Sequence, residues 1–221
     1  LDEIQEEYDV LICKSVGNCT TFENNTPRSR IAQSADTVRG LVVGSIAKSK
    51  NTLDLSEKNH SSPFSRIGPG PSFLIKPDIA HVGGNAGLDE NNALVLNPVF
   101  TFAKTGERKG VVGTSFSTPR ISSILSGIDN LLSGDFNPLL LKALTINSSK
   151  YPEEMKMAID EKLKHVGFGI PCNIQDILYN QPNEITLILQ DNLEKGSFIE
   201  ILDFPYPQSM IDDDGHFYGE I

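Results

Sequence analysis

The chain has 221 residues, of which 38% are hydrophobic and 22% charged, a balance typical of a globular protein with one sizeable core or two small ones. Its formal net charge of -10 argues against nucleic acid and anionic membranes as partners, because phosphate groups are bound by clustered Lys and Arg. No apolar run is long enough to span a bilayer, and no signal peptide opens the chain.

The three cysteines, Cys13, Cys19 and Cys172, show neither the Cys-x-x-Cys spacing nor the Cys/His clustering of a structural zinc site. We therefore expect no metal, and no part of the sequence points to a cofactor. An odd and sparse cysteine count fits a reducing compartment better than a disulfide scaffold. Together with the missing signal peptide, this count favours a cytoplasmic location.

Apolar patterns predict the first elements in chain order. Residues 1–8 are amphipathic and indicate the end of a helix, and the β-branched run at 9–13 predicts a buried parallel strand. Val and Leu crowd between glycines at 40–46, which predicts a second buried strand. Two short apolar runs within 83–112 predict a hairpin ahead of the first long helix.

Helical periodicity dominates the next part of the chain. Apolar residues at three- and four-residue spacing predict a helix that starts near residue 115, namely Ile121, Ile124, Leu125, Ile128, Leu131 and Leu132. Further helices are predicted at 139–146 and at 151–163. From 182 to 204 the apolar residues alternate with polar ones, which predicts antiparallel strands.

The stretch Gly-Thr-Ser-Phe-Ser-Thr-Pro, residues 113–119, places Ser115 at a turn immediately before the long helix. The first N–H groups of a helix lack intrahelical partners and suit an anionic intermediate. A serine in this position is most often an N-cap, but it is also a candidate nucleophile if a base can reach its hydroxyl.

This heptapeptide resembles the nucleophile motif of subtilisin-like serine proteases, the subtilases. In that family a proline follows four residues after the serine, in the first turn of a buried helix, as Pro119 does here. The resemblance implies a serine endopeptidase that cleaves a polypeptide substrate through an acyl-enzyme, with Ser115 as the nucleophile. An esterase is disfavoured, since the Gly-x-Ser-x-Gly pentapeptide is absent around Ser115.

Asn18 lies after the first predicted strand, at the end of a small-small-Gly-Asn segment. Such a segment is usually only a turn, but in subtilases the amide of this Asn donates to the oxyanion of the tetrahedral intermediate. The same resemblance assigns Ser15, Val16 and Gly17 to one wall of the primary specificity pocket. It also assigns Thr114, beside the nucleophile, to substrate binding.

The resemblance extends from about Val10 to about Gly169. Residues 61–69 and 76–80 resemble the family's Phe-Ser-Ser-x-Gly-Pro and Lys-Pro-Asp segments, with departures at loop positions. The implied fold is α/β, a three-layer sandwich with a mostly parallel sheet, of which residues 1–180 are the later half. Residues 181–221 are expected to begin a β-rich C-terminal module.

The sequence lacks two parts of a catalytic triad. A serine hydroxyl needs a base, and the base needs an orienting carboxylate. In subtilases an Asp in an Asp-Ser/Thr-Gly setting and a His in a His-Gly-Thr/Ser setting both precede the oxyanion Asn, and neither setting occurs before Asn18. The histidines present, of which His81 lies nearest to an active-face segment, are better explained as loop or surface residues; they are His60, His81, His165 and His216.

Two hypotheses follow. In the first, a preceding segment supplies Asp and His, and this chain alone is nearly inert. In the second, the chain is a degenerate protease fragment that acts as an interaction or regulatory module, although its intact Asn18 and Ser115 argue against decay. Cutting a parallel sheet exposes a strand edge, so we expect the chain to pair with that N-terminal segment or with itself.

Overall fold

The computed structural model describes residues 1–24, 29–180, 184–200 and 208–217. They belong to two compact units, Leu1–Ile177 and Leu178–Ile221. Within these described ranges, no helix is both long enough and apolar enough to cross a lipid bilayer.

A parallel sheet of three strands lies at the centre of the first unit. The strands β1 (Cys13–Ser15), β2 (Leu41–Ile46) and β3 (Ile79–Val82) lie side by side in that order. Leu41 of β2 pairs with Cys13, and Val43 pairs with Ile79. Every residue of β2 is buried, as expected for the central strand of a parallel sheet covered on both faces.

Strand β1 begins later than the sequence predicts. The helix α1 (Asp2–Tyr8) is capped by Asp9, whose φ of 49° is left-handed and ends the helix. The Gln5 side chain then accepts a 2.8 Å hydrogen bond from the Ile12 N–H, and the Gln5 carbonyl accepts from Val10. These contacts keep residues 9–12 in a connection, so the strand predicted at 9–13 starts at Cys13.

Helices cover the sheet. Helix α2 (Thr114–Leu131) lies against all three strands, and the helix α3 (Pro138–Asn147) packs beside it. Helix α4 (Ile159–Val166) packs on β2 through Ile46 and Val166, in a buried cluster that also contains Ala80 and Met155. The predicted α/β class, with a parallel sheet layered against helices, is confirmed.

The structure refines the two helices predicted after α2. Helix α3 has a side-chain N-cap, and helix α4 starts later than the periodicity predicts. The Asn137 side chain accepts from the Leu140 N–H and starts α3 close to the predicted residue. Residues 151–158, predicted as helix, are irregular apart from a turn at 153–154. Met155 is buried in the core, and the Tyr151 hydroxyl donates to the Gly167 carbonyl, which holds this stretch in place. A short helix, α5 (Ile174–Leu178), follows.

Two antiparallel hairpins, rather than the single predicted one, connect the sheet to α2. The first joins β4 (Asn85–Leu88) to β5 (Leu94–Asn97). The second joins β6 (Val99–Phe102) to β7 (Arg108–Val111) and leads directly into α2.

The C-terminal unit differs from the predicted run of antiparallel strands. Residues 184–200 form no strand in the structure, and their apolar side chains are exposed, with 43% exposure at Ile185 and 66% at Leu189. Alternation produces a strand only where a neighbouring strand satisfies the backbone, and no such neighbour is present among the described residues. One antiparallel bridge joins Ile211 to Phe217, and the predicted positions 182–183 and 201–204 lie outside the described residues.

Candidate active site

Ser115 lies in the first turn of α2 with its side chain exposed. Its neighbours Thr114 and Ser117 are fully buried, so the turn is anchored on both sides of an accessible hydroxyl. Gly113 precedes the helix with a φ of 138°, a conformation that side chains rarely adopt. The prediction that Ser115 sits at a helix N-terminus is therefore confirmed.

Pro119 differs in one detail from the sequence prediction. It is the sixth residue of α2 and lies in the second turn, not the first. A proline there has no N–H to donate to the Ser115 carbonyl four residues earlier. The Thr118 hydroxyl donates to the neighbouring Thr114 carbonyl at 2.8 Å and helps to hold this turn.

The Asn18 side chain contacts the nucleophile turn directly. Its Oδ1 accepts two 3.0 Å hydrogen bonds, one from the Thr114 N–H and one from the Thr114 hydroxyl. Because both donors bind the oxygen, the amide is oriented with Nδ2 left to donate. A Cβ placed on Gly113 would lie 3.2 Å from Nδ2, so the free amide lies beside the residue two before Ser115.

Two N–H donors that adjoin Thr114 have no acceptor among the described residues. They are the Asn18 Nδ2 and the Ser115 backbone N–H, which lacks an intrahelical partner at the start of α2. Both residues are exposed to solvent. Two unoccupied donors at a helix N-terminus are suited to stabilise a developing negative charge.

The residues predicted to bind substrate differ in how accessible they are. Val16 is fully buried in a core cluster with Ala35 and Val42, and its N–H and C=O are bonded to Val43 and Ala32, so neither its side chain nor its backbone is available to a substrate. Gly17 has a φ of 99° and no room for a side chain against Ala32. Ser15 is half-buried at the end of β1, and the buried Thr114 hydroxyl is occupied by Asn18.

Arg66 supports the backbone of the site and was not identified from the sequence. Its Nε donates to the Asn18 carbonyl at 2.9 Å, and its guanidinium also donates to the Arg30 carbonyl at 2.9 Å. The Arg66 N–H donates to the Gly17 carbonyl. Arg66 therefore braces the backbone that presents Asn18, and its place in the segment 61–69 was the available signal.

The hydrogen bonds described for the three histidines of the first unit, His60, His81 and His165, go to groups other than Ser115. His60 contacts the Lys58 carbonyl, His165 contacts the Ser61 hydroxyl, and His216 lies near Asp212. His81 Nδ1 accepts from the Val82 N–H. Within the described ranges, the Ser115 hydroxyl has neither a histidine nor any other hydrogen-bond partner.

Burial and the nearby Arg120 guanidinium lower the pKa of His81 to about 4 from the ordinary 6.5. The folded protein therefore binds fewer protons than the unfolded chain between these values, and stability falls as pH decreases through that window. We expect His81→Asn to remove part of this acid sensitivity, on the order of 2 kcal/mol. Urea unfolding at about pH 7 and about pH 4.5 measures the difference; an equal effect from the exposed His216→Asn would contradict the assignment.

Comparison with known proteins gives one family. The sequence model of the Subtilase family, Peptidase_S8, matches residues 1–169. The uncharacterized protein y4bN of Sinorhizobium fredii strain NBRC 101917 / NGR234 is 27% identical over an alignment of 256 residues. The alignment covers 94% of this chain. The chain spans 57% of that relative's length.

Solved structures share the fold at low sequence identity. The prenylagaramide maturation protease PagA has a TM-score of 0.53 at 18% identity, over 80% of this chain and 52% of its own. The self-cleaved protease domain of PatA has a TM-score of 0.51 at 16% identity, over 80% and 51%. The epidermin leader peptide processing serine protease EpiP of Staphylococcus aureus has a TM-score of 0.52 at 16% identity, over 83% and 44%.

Proposed function

We propose, from the premise that this chain belongs to the subtilase family of serine proteases, that it is the nucleophile-bearing part of a serine endopeptidase. The observation that carries the proposal is the pair of free donors beside an exposed Ser115, formed by the Asn18 amide and the Ser115 N–H. A buried or fully hydrogen-bonded serine at this position would not support it.

In the proposed reaction the Ser115 Oγ attacks the carbonyl carbon of a peptide bond while a base takes the hydroxyl proton. The carbonyl oxygen becomes an oxyanion and is held by Asn18 Nδ2 and the Ser115 N–H. The same base then returns the proton to the leaving amine, which departs and leaves an acyl-enzyme. Water, activated in the same way, releases the second product and restores Ser115.

The base and its carboxylate are proposed to come from a segment that precedes Asn18 in the natural polypeptide. One support is the hydroxyl of Ser115, which has no base within the described part of the chain. A second is the edge of β1. The Leu41 N–H of β2 donates to the Ile12 carbonyl, and the Val43 carbonyl accepts from the Val16 N–H. Since successive residues alternate, the N–H and C=O groups of Cys13 and Ser15 point away from β2, where another strand can add.

A groove along α2 supplies a further support. It has a volume of about 260 Å³ and lies between the hairpin β6–β7 and the helix face that includes Phe116 and Pro119. Arg120 also lines the groove and forms no ion pair within the described ranges. This apolar groove begins at Phe116, one residue after the proposed nucleophile, and could bind a segment that brings a base to Ser115.

Labelling with a fluorophosphonate probe tests the proposal. We expect the longest natural polypeptide to be labelled, and the 221-residue chain alone to be labelled far more slowly. Rapid labelling of the chain alone would place the base within it, or within a self-associated form, and would contradict a preceding segment. No labelling of either form would reject the endopeptidase and favour the alternative, a catalytically inactive interaction or regulatory module.

Asn18→Ala in the full-length protein is expected to lower kcat by roughly 10²–10³-fold with little change in KM, because it removes an interaction that forms only with the oxyanion. Hydrolysis of a fluorogenic peptide measures both constants. Asn92→Ala, at an exposed hairpin position, is the matched control. A rise in KM at unchanged kcat would assign Asn18 to ground-state binding instead.

A further inference from the structure

Three buried serines lie beneath the nucleophile turn and have no part in the proposed chemistry. Ser45 is in β2, and Ser62 and Ser65 are in the following loop. All three are 0% exposed, and all three are hydrogen-bonded. Buried hydroxyls that are fully paired rigidify the backbone groups they bind.

The direction of these hydrogen bonds follows from counting protons. Ser62 Oγ lies 2.6 Å from the Gly84 carbonyl, which can only accept, so the Ser62 proton goes to Gly84. Ser45 Oγ lies 2.7 Å from Ser62 Oγ and must therefore be the donor of that bond. The chain of donation runs from Ser45 to Ser62 to the Gly84 carbonyl.

Gly84 and its neighbour Gly83 connect this chain to the nucleophile. The Gly83 carbonyl accepts from the Gly113 N–H at 2.9 Å, and the Gly83 N–H donates to the Ile46 carbonyl at 3.1 Å. A Cβ on Gly83 would overlap both the Ser45 hydroxyl and the Gly113 carbonyl. Glycine at position 83 thus lets the serine pair and the nucleophile turn contact the same residue.

Ser65 connects the same serines to Asn18. Its hydroxyl accepts from the Ser45 N–H at 3.1 Å, and its backbone forms an antiparallel bridge with Asn18. Its own N–H donates to the Ser62 carbonyl at 3.0 Å. One buried network therefore reaches both donors of the site, Asn18 from one side and the turn before Ser115 from the other.

We infer that Ser62, with its partner Ser45, is a positioning residue that sets the distance between the Asn18 amide and the Ser115 N–H. The inference rests on the proposed function, since the two donors matter to catalysis only if they hold an oxyanion. Without the Ser62 hydroxyl, the Gly84 carbonyl loses its partner and the turn that binds Gly113 is free to shift. A displacement of the donors weakens transition-state binding more than substrate binding.

The test compares Ser62→Ala with Ser56→Ala in the full-length protein. Ser56 is also buried and donates to the Ser61 carbonyl at 2.8 Å, but it has no bond to the nucleophile turn. We expect Ser62→Ala to lower kcat about tenfold with KM within about twofold, and a tetrahedral peptide boronate to bind about tenfold more weakly. The double variant Ser45→Ala, Ser62→Ala is expected to have a kcat only slightly lower than that of Ser62→Ala, because the two hydroxyls act through one bond to Gly84.

The ¹⁵N spectrum gives a second readout that needs no turnover. Ser62→Ala should move the Gly113 N–H and Asn18 Nδ2 resonances, and Ser56→Ala should leave them in place. Equal kcat in the two variants, or unmoved Gly113 and Asn18 resonances, would overturn the inference even if the enzyme is active. A wild-type protein without turnover rejects the proposed function instead, and moved resonances would then still support the coupling of Ser62 to both donors.

Discussion

Ser115→Ala is expected to lower kcat/KM of the full-length protein by roughly 10⁶-fold, the largest effect of any single change in this chain. The variant keeps the fold, because the Ser115 side chain is exposed and has no hydrogen bond among the described residues. In the proposed mechanism it removes the atom that forms the acyl-enzyme. Fluorogenic-peptide hydrolysis and fluorophosphonate labelling should be lost together.

The matched control is Ser122→Ala, two turns further along the same helix. Ser122 is also exposed, and its hydroxyl donates to the Thr118 carbonyl at 3.4 Å. We expect this variant to retain the wild-type rate. Persistent labelling of Ser115→Ala, or loss of labelling in Ser122→Ala with an intact fold, would remove Ser115 from the role of nucleophile.

Asp78→Asn is expected to destabilise the first unit by roughly 3–5 kcal/mol, the cost of leaving a buried charge without its counterion. The Asp78 carboxylate accepts from Lys76 Nζ at 2.8 Å and from the Val42 N–H at 2.6 Å, with 5% exposure of Asp78 and 2% of Lys76. Lys142 Nζ lies 3.8 Å away, and burial lowers its pKa. Urea unfolding of the full-length protein measures the loss.

Two variants show whether the buried charge is responsible. The exposed pair of Lys50 and Glu57 provides the control, since Glu57→Gln should change stability by no more than about 1 kcal/mol. The double variant Lys76→Met, Asp78→Asn removes both charges and should recover part of the loss. A double variant that is less stable than Asp78→Asn would mean that packing of the Lys76 stem, not its charge, is decisive.

Much of the scaffold follows from local patterns. The six residues at 41–46 are apolar or small without interruption, and they form the fully buried central strand. Helical spacing after residue 115 predicts α2, and the glycine and serines before it predict an accessible serine at its start. These features are predictable because they depend on residues close in sequence.

Other features depend on contacts between distant residues and were not predictable. Arg66 supports Asn18 across 48 residues, and apart from its place in the segment 61–69 nothing in the sequence distinguishes it from a surface arginine. Met155 interrupts an apparently helical stretch because the core under Ile46 has space for it. The alternating residues at 184–200 were predicted as strands, but alternation alone cannot supply a pairing partner.

The contrast between β2 and the hairpin β6–β7 has a consequence for local opening. Amides of β2 are buried and paired on both sides, so their hydrogen exchange should require global unfolding. The hairpin has a free edge and exposed rings, with 52% exposure at Phe100 and 76% at Phe102, so its amides should exchange through fraying. The Gly113 N–H, bonded to the Gly83 carbonyl, lies between the slowly exchanging sheet and the fraying hairpin. The proposed oxyanion donors, the Asn18 amide and the Ser115 N–H, therefore lie between a slowly exchanging sheet on one side and a hairpin that exchanges through fraying on the other.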